Sequence, residues 1–115
     1  MNDAVAVAKA KSLRISSMKL RRIARLIKDM KVENALAMLN HMPQKGAKMV
    51  YKVLFAAKAN FLHKNPNGDT TSLSVSTIFV NEGTAFARFK PRARGRADRM
   101  YRGTAHLTLY LGNKE

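Results

Sequence analysis

The sequence of 115 residues contains no cysteine and no tryptophan, and only 7 residues are acidic. Without cysteine there can be no disulfide framework and no Cys-ligated zinc, an absence compatible with a cytoplasmic protein. The three histidines, His41, His63 and His106, fall in unrelated contexts, and no glycine-rich phosphate loop or metal-spaced carboxylate pair occurs. No enzymatic activity, cofactor or metal is expected. No window approaches the roughly 20 apolar residues that span a bilayer. The Ala/Val-rich start carries Asp3 and lacks a long apolar or Arg-rich amphipathic stretch, so no targeting segment is expected there.

What the chain does have is positive charge. Its 22 Lys and Arg against 7 Asp and Glu give a formal charge of +15, far more than solubility requires. Such a surface repels itself unless a polyanion lies against it. Nucleic acid is the leading candidate, and its binding would weaken steeply with salt as counterions are released. The length and the 46% hydrophobic content support one domain over residues 1–115, with a modest core.

Periodicity divides that domain into a helical first half and a β second half. Val5, Val7, Lys9, Lys11 and Leu13 alternate with Ala4, Ala6, Ala8, Ala10 and Ser12, which predicts a strand with one small-residue face. Ser16 and Ser17 are N-cap candidates for a basic amphipathic helix in which Leu20, Ile23, Ala24 and Ile27 form the apolar stripe. Arg21, Arg25 and Lys28 line another face of that helix. A short helix is predicted over 32–39, and a longer one over 44–62 with Ala47, Val50, Leu54, Ala57 and Phe61 on one side. Asn65-Pro66-Asn67-Gly68-Asp69 is a dense turn signal that ends the helices. Beyond it, Leu73, Val75, Thr77 and Phe79 alternate with serines, and Leu107, Leu109 and Leu111 alternate with His106, Thr108 and Tyr110. Both patterns predict strands whose apolar faces cover the helices.

Residues 81–104 hold few large aliphatic side chains and cannot bury a face of their own. They are expected to form a long hairpin arm that turns near 91–95 and leaves a globular part of about 1–80 and 105–115. Arg88, Lys90, Arg92, Arg94, Arg96, Arg99 and Arg102 lie in this arm against one acid, Asp98. Arginine suits phosphate because its planar fork donates two parallel hydrogen bonds and also stacks on bases. Phe86, Phe89 and Tyr101 add flat surfaces. Glu82 and Asp98, which flank the arm's cations, are expected to orient neighbouring arginines rather than act as an acid/base pair. An architectural DNA-binding protein with a β-ribbon arm is the competing expectation. A membrane-active protein is disfavoured, because the densest charge is not on an amphipathic helix. No homo-oligomer is expected, since no long apolar helix face is left over.

Phe79-Val80-Asn81-Glu82-Gly83, then Arg88, then Pro91-Arg92-Ala93-Arg94-Gly95-Arg96-Ala97-Asp98-Arg99, closely resemble the family of large-ribosomal-subunit protein twenty-two. Arg14, Ser16, Lys19 and Arg21 fit the opening of that family's first helix. Lys31-Val32 with Ala35-Leu36 fit the second helix, Ala59-Asn60 with His63 the end of the third, and Thr104-Ala105-His106 the final strand. The resemblance implies an α+β fold: three helices packed on a small antiparallel sheet, with a long protruding β-hairpin. It also implies a cytoplasmic place in the large ribosomal subunit, binding to 23S-type rRNA, a role in assembly, and neighbouring ribosomal proteins as partners. The implied rRNA contacts are Lys11, Arg14, Ser16, Lys19, Arg21, Arg25, Asn60, His63, Arg88, Arg92, Arg94, Arg96, Arg99 and Arg102. Lys90, Pro91, Arg92, Ala93 and Arg94 would form a tip lining the nascent-peptide exit tunnel. The chain departs from the family in two places: Lys28-Asp29-Met30 stands where Arg-Gly-Lys is usual, and Gly103 where a basic residue is common.

Overall fold

The period of two that opens the chain is a strand. β1 (Ala4–Leu13) turns Ala6 and Ala8 into the core and leaves Val7, Lys9 and Lys11 exposed, as alternation along a pleated strand requires. The computed structural model describes residues 4–83, 86–91 and 97–113, with 86–91 and 97–102 described by their backbone pairing.

Of the two serines that could start the first helix, Ser16 is the cap. Its backbone is extended and its hydroxyl accepts the Lys19 N–H at 3.3 Å, satisfying one of the free donors at the start of α1 (Ser17–Ile27). Ser17 is already helical and buried, and its hydroxyl donates to Glu82 Oε1 at 3.4 Å. Glu82 thus meets a serine of α1; the arginine side chains of the arm, which it was expected to orient, lie outside the described residues. The α1 stripe of Leu20, Ile23, Ala24 and Ile27 is buried as predicted.

The chain leaves α1 through Asp29, whose φ of 66° lies in the left-handed region. Glycine adopts that conformation without steric cost and aspartate is among the few other residues that tolerate it. This explains physically why glycine suits the position. The turn also pairs with the sheet: the Asp29 N–H donates to the Val75 carbonyl and the Val75 N–H donates to the Met30 carbonyl, both at 2.9 Å.

α2 (Val32–His41) and α3 (Lys45–Lys64) follow, each slightly longer than its apolar pattern suggested. On α3 the predicted stripe of Ala47, Val50, Leu54, Ala57 and Phe61 is buried, together with Gly46 and Val53. Gly46 lets α3 start close against α1, since a Cβ there would lie 2.6 Å from Ile23 Cδ1 and 2.9 Å from Ile15 Cδ1.

β2 (Leu73–Glu82) and β5 (Ala105–Asn113) complete a three-stranded antiparallel sheet in the order β1-β5-β2. Central β5 buries Leu107, Leu109 and Leu111 completely. The β2 alternation departs from expectation. Its register against β5 shifts between Val75 and Thr77, a bulge that puts one extra residue into β2. Because side chains alternate with period two, a one-residue slip exchanges the faces. Leu73 and Val75 are buried before the bulge and Val80 after it, while Phe79, expected to cover the helices, is turned out and 50% exposed.

β3 (Phe86–Pro91) and β4 (Ala97–Arg102) pair with each other as a separate antiparallel ribbon. Its ladder runs from Phe86 opposite Arg102 to Pro91 opposite Ala97. The expected turn and tip residues Arg92, Ala93, Arg94, Gly95 and Arg96 lie outside the described residues. The Cα trace measures 65 × 24 × 24 Å.

Candidate nucleic-acid interface

Both free edges of the sheet are met by a helix side chain. On the β2 edge, Arg21 of α1 directs Nε (3.2 Å) and Nη2 (3.0 Å) at the Val80 carbonyl. On the β1 edge, Asn60 of α3 donates its Nδ2 to the Val7 carbonyl at 2.9 Å. Each occupies an acceptor that an unpaired strand would otherwise offer to another chain. Ser16, Arg21 and Asn60 therefore have structural work inside the fold. A guanidinium carries five donors, so Arg21 can hold Val80 and still present N–H groups outward.

The α1 cations form a ridge between two grooves. The larger, about 890 Å³, is lined by Arg14, Ser16, Lys19, Arg22 and Arg25 on one side and by Lys45 from the start of α3 on the other. Its apolar lining comes from Ile15, Ile23, Leu26 and Met42. Lys45 Nζ donates to the Arg14 carbonyl at 3.1 Å, tying the start of α3 to the segment before α1. The smaller groove, about 270 Å³, lies between Arg21, Arg25 and Lys28 of the ridge and Ile78, Phe79 and Val80 of β2. No acidic residue lines either groove, so their electrostatic field favours an anion.

Of the predicted contact residues, Arg14, Ser16, Lys19 and Arg25 thus come together at the larger groove, and Arg21 lines the smaller one. Lys11 is exposed on β1. Asn60 and the exposed His63 sit near the end of α3, away from both grooves. Arg22 and Lys45 were not among the predicted contacts. Arg22 stands three residues from both Lys19 and Arg25, a helical spacing that would have found it. Lys45 had no such signal, because only the packing of α3 against α1 brings it to the groove.

In the ribbon, the register sets Phe86 opposite Arg102, Arg88 opposite Met100, Phe89 opposite Arg99 and Lys90 opposite Asp98. Each of these rungs holds a single cation, which avoids the cost of like charges directly across a ladder. Asp98 is registered against Lys90, and its side chain, expected to orient arginines, lies outside the described residues. Where the ribbon meets the globular part, the Gly83 N–H donates to the Thr104 carbonyl at 2.8 Å. A Cβ at Gly83 would collide with the Thr104 hydroxyl and lie 3.1 Å from the His106 ring. His106 Nδ1 accepts the Ser12 N–H at 3.0 Å, so the base of the arm is fastened to β1 as well as to β2.

The Asp69 carboxyl lies away from the grooves. The Thr71 hydroxyl, then the Thr71 backbone N–H, donate to Asp69 and hold its carboxyl below the usual carboxylate range. This is the local hydrogen bonding expected of an aspartate in a turn. Among the described residues no cluster of His, Asp or Glu suited to a metal occurs.

A helix-backed antiparallel sheet, grooves lined by cations and a basic two-stranded ribbon define a small basic α+β protein. The family model of ribosomal protein L22p/L17e matches residues 8–112. The proteins named large ribosomal subunit protein uL22 from Desulforamulus reducens and from Oceanobacillus iheyensis are each 44% identical to it over 110 residues, covering 96% of both chains. The chain belongs to the ribosomal protein L22p/L17e family, in its bacterial type, and is a structural constituent of the large ribosomal subunit.

Proposed function

We propose that the chain binds 23S-type rRNA through the α1 ridge and its basic ribbon, assists assembly of the large subunit, and lines the nascent-peptide exit tunnel with the hairpin tip. The observation that carries this reading is the large groove, where Arg14, Lys19, Arg22, Arg25 and Lys45 converge and no acid intervenes. Cations so arranged neutralise phosphates and fix the register of a protein on RNA without reading sequence. The globular part, about 1–80 and 105–115, is the anchor. The arm, about 81–104, extends along the RNA with single cations on four of its six paired rungs. Lys90, Pro91, Arg92, Ala93 and Arg94 form the tip that meets the nascent peptide. The chain acts as a single copy, beside neighbouring ribosomal proteins and without a membrane. Family membership favours this reading over a DNA-binding arm.

The test is the salt dependence of binding between the full chain and large-subunit rRNA. Replacing Lys19 and Arg22 by Ala is expected to weaken binding and lower the slope of log affinity against log salt by about 1 per lost phosphate contact. An unchanged slope would remove the groove from the interface. Cross-linking from position 93 in purified subunits is expected to reach a stalled nascent peptide, and labelling of rRNA alone would place the tip elsewhere.

A further inference from the structure

The face of the sheet turned away from the helices has no role in the function proposed above. We propose that it is a platform for unpaired RNA bases, on which Phe79 and Tyr110 provide the stacking surface and Lys9 the phosphate contact.

The bulge in β2 creates this surface. Phe79 turns outward, 50% exposed, and its ring meets Tyr110 edge-on, with centroids 6.3 Å apart and planes at 85°. The registers place Lys9, Thr108 and Phe79 in one row across the three strands and Val7, Tyr110 and Thr77 in the next. Val7 is 36% exposed and Lys9 is exposed too. Two strand spacings separate Lys9 from Phe79 by about 10 Å, within reach of a lysine stem bending toward a phosphate beside a stacked base. None of these row residues is acidic. A large exposed aromatic beside a cation, on a surface free of acids, matches the way single strands are held, with bases on aromatic faces and phosphates on cations. A duplex keeps its bases stacked inside and has no use for the rings. Phe79 also lines the smaller groove with Arg21, Arg25 and Lys28, so a strand leaving the platform passes directly onto the α1 ridge.

This inference rests on the RNA-binding reading, and its test separates the two. The full chain, with Phe79→Leu and Tyr110→Leu variants, is titrated with a uridine oligonucleotide of about ten residues and with a duplex RNA of matched length. Each substitution is expected to weaken oligonucleotide binding by at least about fivefold and to leave duplex binding unchanged. Ultraviolet cross-linking of the unsubstituted chain to the same oligonucleotide is expected to give adducts at Phe79 or Tyr110, a readout independent of how the variants fold. Undiminished binding by both variants, equal loss on duplex, or adducts confined to α1 and the ribbon would overturn the platform while large-subunit rRNA binding by the ridge stands. Failure of the unsubstituted chain to bind large-subunit rRNA at all would instead overturn the RNA-binding reading.

Discussion

Ser16, Arg21 and Asn60 show why a residue type in a family motif does not reveal its whole task. Ser16 holds an N-cap, Arg21 grips the Val80 carbonyl and Asn60 the Val7 carbonyl. Replacing Ser16 by Ala is expected to cost about 1 kcal/mol of stability, read from the urea midpoint at unchanged slope. A loss of RNA affinity in that variant with no loss of stability would mean that the hydroxyl serves RNA and not the helix. Asp69 offers a second residue-scale check. Its carboxyl is held low by Thr71, so its NMR titration midpoint is expected below the ordinary value of about 3.9, and Thr71→Ala is expected to raise it. A lowered carboxylate pKa contributes stability above the unfolded value and loses it as pH falls through the folded one. The Thr71 contribution is accordingly present at neutral pH and lost in acid.

At the scale of elements, β5 is the axis of the fold, since both other strands of the sheet pair with it and its leucines are fully buried. Leu109→Ala is expected to cost about 2–5 kcal/mol, measured by chemical denaturation, because the removed atoms leave a cavity in the centre of the sheet. The β3–β4 ribbon is different in kind. An isolated two-stranded hairpin is marginal in water, whereas a central strand opens only with the whole domain. Amide exchange in the RNA-free protein is therefore expected to be much faster in β3 and β4 than in β5. Equal protection would mean that the arm is fastened to its own domain and unsuited to following RNA. The helical stripes and the leucine alternation of β5 were legible because burial imposes their periods directly. The outward turn of Phe79 was not, because the bulge at Ser76 and Thr77 leaves no mark in the pattern of residue types.

For the molecule as a whole, the charge of +15 must be borne in one compact fold and an attached ribbon. The chain distributes it: grooves beside α1, no more than one cation on any rung of the ribbon, and lysines along the outer face of β1. The free protein is expected to gain stability from added salt, which screens this self-repulsion, while its RNA complex weakens over the same range. Thermal melting and binding titrations across one salt series read both trends. A complex insensitive to salt would rule out phosphate neutralisation as the main source of affinity.

Composition and periodicity alone indicated the helices, the strands, the buried stripes and a basic hairpin. These follow from burial and backbone preference, which act on neighbours in sequence. Tertiary structure decided the rest: which strand is central, which cations share a groove, which polar side chains cover the sheet edges, and that Phe79 faces outward. Each of these depends on groups brought together from distant parts of the chain, as Arg21 is with Val80 and Lys45 with Arg14. Local pattern carries no record of such pairings, because the free energy that selects them comes from packing and hydrogen bonding in the folded state.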